Sequence, residues 1–84
     1  MKILAQTITI EIEEDAYRLA RGDFEAVEDA PRIGRWREIS CTLDAAQNML
    51  IFFKAVLAKG LNPTVAVACI GAYVQIREVL KNRI

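Results

Sequence analysis

Residues 41–76 read CTLDAAQNMLIFFKAVLAKGLNPTVAVACIGAYVQI, and this stretch decides the architecture. Of its 36 residues 24 are apolar, and only Asp44, Lys54 and Lys59 are charged. Most of it must therefore be covered by something other than water. Helix punctuation divides it in two. Thr42 reads as an N-cap, with Asp44 in the first turn where a carboxylate suits the positive end of the helix dipole. Gly60 follows Lys59 as a terminating glycine. Asn62-Pro63 is a second start, an N-cap followed by proline at the first helical position. That helix is expected to run to about Asn82, with Arg77, Lys81 and Arg83 in its last turns. The short connection makes the pair an antiparallel hairpin.

Both helices carry more apolar surface than one neighbour can cover. On the first, residues such as Met49, Leu50, Phe52, Phe53 and Val56 form a broad apolar side, while Ile51 falls among Asp44, Gln47, Asn48 and Lys54. On the second, Cys69, Ala72, Tyr73, Ile76 and Leu80 form one stripe, and Val67, Ile70 and Val74 form another on the opposite side. A helix with two apolar sides must be covered twice. Ile51, Phe52, Val67, Ile70 and Val74 are accordingly the expected oligomer interface, in a homodimer. The alternative is that Val67, Ile70 and Val74 line the core of a single chain.

Upstream, residues 3–13 alternate, with Leu4, Ile8, Ile10 and Ile12 sharing one parity and Thr7, Thr9, Glu11 and Glu13 the other; this period predicts a strand with one buried face. Residues 14–29 change to a helical period, ended by Pro31. Gly22 weakens that helix, and a hairpin turning at Gly22-Asp23 is the rival reading. Residues 33–40 read as a second, short strand. The sum is a single α+β domain over residues 1–84, a small two-layer fold of β-α-β-α-α order, with the C-terminal helical hairpin packed on a short sheet.

The chain of 84 residues holds 11 basic and 11 acidic side chains, but residues 1–30 carry a net charge of minus five and residues 31–84 plus five. Zero net charge argues against a non-specific nucleic-acid coat or an anionic-membrane patch. No histidine is present. That excludes a histidine general base, a Ser/His or Cys/His nucleophile pair and a Cys/His zinc site. No other pair of groups outlines a catalytic geometry, and no cofactor, metal site or enzymatic activity is expected. Cys41 and Cys69 do not make a disulfide framework, no signal peptide or uninterrupted apolar span is visible, and a cytoplasmic location without membrane insertion is expected.

The segment Arg32-Ile33-Gly34-Arg35-Trp36-Arg37 is the most suggestive of binding, since arginine and tryptophan anchor interfaces and can also grip phosphate and stack a base. Strand parity separates Trp36 from Arg35 and Arg37. A structural reading turns Trp36 inward and pairs the arginines outward with Glu11 and Glu13. The acidic set, with Glu25 and Glu28 on the helix face, suits a basic partner or simply solvates that face. The candidate partner-binding residues are Arg35, Trp36, Arg37, Glu25 and Glu28. Cys41 and Cys69 are expected to be buried structural thiols. Arg21-Gly22-Asp23 matches a cell-adhesion tripeptide, a three-residue signal with no export segment beside it.

The opening TITIEIEEDAYRLA (residues 7–20) is similar to the start of ribbon–helix–helix proteins over one strand and one turn; the second strand and the long apolar hairpin depart from that plan, and no residue roles follow from it. The function expected from these features is a non-enzymatic protein–protein interaction module, a homo-oligomeric regulator or inhibitor that binds another protein. The alternatives are a nucleic-acid-binding regulator using Arg32–Arg37, and a binder of a small apolar ligand in a pocket left by Ala66, Ala68, Gly71 and Ala72.

Overall fold

A computed structural model describes residues 7–28 and 30–82, without the side chains of Glu25 and Ala26. The readings made at Leu4, Asp29 and Arg83, and that of the Glu25 side chain, fall outside it. The order is β1 (Thr7–Glu13), α1 (Glu14–Ala20), α2 (Glu25–Glu28), β2 (Arg32–Ile33), β3 (Trp36–Thr42), α3 (Leu43–Lys59) and α4 (Pro63–Lys81). The fold is α+β, with an open antiparallel sheet of order β1-β3-β2.

Alternation places the first core layer. Ile8, Ile10 and Ile12 of β1 face Cys41, Ile39 and Arg37 of β3 in register. The five apolar residues of that face are buried and pack with Ala16, Tyr17 and Ala20 of α1, Met49 and Phe53 of α3, and Cys69 and Ile76 of α4. The opposite face, with Thr7, Thr9, Glu11, Ser40 and Thr42, is exposed.

Both helices of the hairpin start and stop where their capping residues predict. Thr42 Oγ1 accepts from Ala45 N–H at 3.1 Å, and Asn62 Oδ1 accepts from Thr64 N–H at 3.0 Å. Gly60 takes φ +88°, a conformation that costs glycine little and other residues more. No residue between Phe53 and Ala68 is fully buried, and the far end of the hairpin packs on the core only through the partly buried Val56, Leu57, Leu61 and Val65.

Two expectations are corrected. Residues 14–29 are neither one helix nor a hairpin: α1 ends at Ala20, the chain turns through Arg21–Asp23, and α2 is a single turn. Ala20 C=O accepts from both Asp23 N–H and Phe24 N–H, so the break at Gly22 is closed by hydrogen bonds. Residues 33–40 are not one strand. Gly34 at φ +64° and Arg35 form a two-residue turn that folds β2 back on β3, with Ile33 paired to Trp36. Glycine at the first turn position with an ordinary second residue is the II′ hairpin pattern, whose twist matches the strands.

The facing of β3 is also the reverse of that predicted. Arg37 lies on the inner face beside Ile12, and Trp36 lies outward, 36% exposed. Glu11 stands opposite Glu38 and Glu13 opposite Trp36, so neither glutamate meets Arg35 or Arg37. Ile39 and Cys41 share the parity of Arg37, and burying them carries Arg37 inward with them.

Candidate functional site

Arg37 is held as part of the fold. Its Nε donates to Glu14 Oε1 at 2.8 Å, one terminal nitrogen donates to Glu14 Oε2 at 3.3 Å, and the other donates to Ala30 C=O at 3.0 Å. The guanidinium also lies 4.1 Å from the centre of the Tyr17 ring. The hydrogen bonds from Arg37, with its positive charge, hold the Glu14 carboxyl below its usual range against the opposing effect of burial. Ion pairing thus joins the acidic N-terminal half to the basic C-terminal half, at Glu14 rather than at Glu11 or Glu13. A lowered carboxyl pKa contributes stability above the unfolded-state pKa, and that contribution is lost as pH falls through the folded value. Glu14→Gln is therefore expected to lower the urea midpoint at neutral pH. The gap from the native chain should narrow as both are acidified, which a midpoint-against-pH series measures.

With Arg37 turned inward, Arg35 and Trp36 are what the hairpin presents. The Arg35 guanidinium lies 5.6 Å from the centre of the Trp36 ring. The turn brings together two side chains that strand parity would have separated. Arg35 C=O accepts from Glu14 N–H at 3.0 Å, and Arg32 Nε donates to Gly34 C=O at 2.8 Å, so the tip is braced on both sides. Ile33, 57% exposed, completes an apolar spot flanked by arginines. Ile33 belongs to the segment singled out in the sequence but was not among its candidate binding residues; the signal for it was its place beside a Gly-x pair able to turn.

Glu28 is exposed, and its backbone carbonyl accepts from Tyr17 O–H at 3.4 Å. Cys41 and Cys69 are free and buried, and burial pushes both thiols up, with Asp15 adding to the effect at Cys69. Neither is a lowered-pKa nucleophile in this setting.

The second candidate surface is the outer side of the helical hairpin. Ile51, Val67, Ile70 and Val74 are 61%, 64%, 51% and 40% exposed. Val67, Ile70 and Val74 are thus outside the core of the chain, while Phe52 is half-buried and packs edge-on between Phe24 and Phe53, with ring centres 5.4 and 5.3 Å away. Ala68 and Ala72 are buried, so this pair of small residues lets α4 pack closely on its neighbours. Gln75 reaches from α4 to the outer edge of β1, where its Oε1 accepts from Glu11 N–H.

Within the exposed stripe lies Gly71, itself exposed in the middle of a 19-residue helix. Helix-interior glycine costs about 1 kcal/mol relative to alanine. A Cβ built there meets nothing within 4 Å, so no contact among the described residues requires the glycine. By length and composition α4 is also apolar enough to cross a membrane, with 22% of that stretch buried. No family model, no curated protein and no solved structure matches this chain.

Proposed function

We propose that this protein is a non-enzymatic interaction module that self-associates through the outer side of α3 and α4 and binds another protein through the Arg35–Trp36 hairpin tip. One observation carries the reading: four large aliphatic side chains stand exposed on the two long helices, three of them in one helical stripe. Exposed apolar side chains gathered in one stripe, as Val67, Ile70 and Val74 are, mark contact with a partner when they form a patch. The braced tip supports a second contact, because a preorganised arginine–tryptophan pair loses little freedom on binding. A regulator or inhibitor that works by occupying another protein needs no more than these two surfaces.

The test is affinity purification of the tagged chain from its native host, read by mass spectrometry, beside an Arg35→Glu/Trp36→Ala variant. A protein retained in stoichiometric amount by the native chain and lost from the variant is expected. Equal retention by both sinks the assignment of the tip, and recovery of a nucleic acid instead favours the Arg32–Arg37 segment as a phosphate reader.

A further inference from the structure

We propose that the surface of α4 receives a second copy of the same helix in antiparallel orientation, with Ile70 of each copy seated over Gly71 of the other. The proposal rests on the self-association inferred above and supplies its geometry. On a helical wheel Val67, Ile70, Gly71, Val74, Glu78 and Lys81 fall within about 100° of arc. Buried Ala68, Cys69, Ala72 and Ile76 lie on the other side. The stripe has a centre between residues 70 and 71. A two-fold axis through that centre sets Val67 against Val74 and Ile70 against Gly71, each twice. A projecting side chain then meets the one position with no side chain, as an isologous contact requires. This gives Gly71 the close approach that nothing among the described residues asks of it.

The helix dipoles favour the same orientation. A parallel pair would set Ile70 on Ile70 and bring Arg77 and Lys81 beside their own copies, with the two helix dipoles aligned. The antiparallel pair instead opposes the two dipoles and carries Arg77, Glu78 and Lys81 to the N-terminal turn of the other α4, where Glu78 stands between these bases and Lys59.

Sedimentation velocity with cysteine variants tests both levels. In the antiparallel register residues 67 and 74 of opposite copies are adjacent, while 67 and 67 stand about 10 Å apart along the axis, beyond disulfide reach. Under mild oxidation the Val67→Cys/Val74→Cys double variant should form a covalent dimer. Neither single variant should, and nor should the native chain, whose two thiols are buried. Gly71→Leu should weaken the dimer at least tenfold while raising the melting temperature of the monomer, because leucine favours the helix and nothing within the chain opposes it. A dimer in which Val67→Cys alone cross-links, or which Gly71→Leu leaves intact, overturns the register but leaves self-association standing. A monomer at micromolar concentration overturns both, and so does a chain that floats with phosphatidylcholine vesicles instead of dimerising.

Discussion

Phe53→Ala is expected to remove a large share of the stability of the fold. Phe53 is fully buried and is the largest such side chain among the described residues. Truncating a buried phenylalanine costs about 3–5 kcal/mol, from lost transfer energy and the cavity left behind. At roughly 0.05–0.15 kcal/mol per residue, a chain of this length has about 4–13 kcal/mol in all. Phe53 also packs edge-on against Phe52, which packs in turn against Phe24. The cavity therefore loosens the aromatic chain that joins the α1–α2 connection to α3. Urea denaturation followed by circular dichroism should show the midpoint fall by at least about a quarter with an unchanged slope. Phe53→Leu, which refills much of the volume, should lose far less.

The parts of the fold that were legible in the sequence are those in which several local signals agree. For α3 and α4, caps, terminating glycine, proline and apolar period all point to the same ends, and the structure places them within a residue of those ends. For β1, alternation of isoleucine with threonine and glutamate left one reading. The β2–β3 turn was missed because a two-residue turn preserves period-two alternation on either side of it. Only the Gly34-Arg35 pair marks the reversal, and its positive φ is invisible to periodicity. The break after Ala20 was weighed but not resolved, because Gly22 permits a turn without requiring one, and the hydrogen bonds that close it form only when the chain folds.

The candidate surfaces were legible to a lesser degree, and for an instructive reason. Strand parity grouped Arg37 with Arg35 and charge turned the pair outward, but Ile39 and Cys41, of the same parity as Arg37, decide which way the strand faces. Burying those two carries the guanidinium inward, where Glu14, Ala30 C=O and the Tyr17 ring surround it. Charge was the weaker cue because one arginine can be satisfied inside the fold by a carboxylate, a carbonyl and a ring, whereas an exposed Ile39 has no such remedy. The exposed stripe on α4 was legible from the wheel alone, since its apolar residues recur at three- and four-residue intervals on both sides of the helix. The role of Gly71 within it was not, because a helix-interior glycine is informative only once the space around it is known.

Ile70→Glu is the substitution expected to act most strongly on assembly and least on the fold. Ile70 is half-exposed in the chain, so its apolar contribution to the core is small, and glutamate is at least as good a helix former. The variant should keep its helical circular dichroism. In the dimer proposed here both copies of residue 70 lie next to the two-fold axis, so one substitution acts twice. Loss of two half-buried isoleucine side chains removes about 2 kcal/mol of apolar burial. The two carboxylates that replace them face apolar surface and each other, with no base on the stripe closer than Arg77, nearly two turns away. Together these effects should raise the dimer dissociation constant by at least about a hundredfold. Thermal unfolding separates this from damage to the fold. Dimerisation linked to folding makes the native melting temperature rise with protein concentration, and the Ile70→Glu curve should be independent of concentration and meet the native curve at the dilute end. A variant that melts below the dilute native protein would place Ile70 in the support of the monomer instead, and α4 would then have no stripe left over for a second copy to cover.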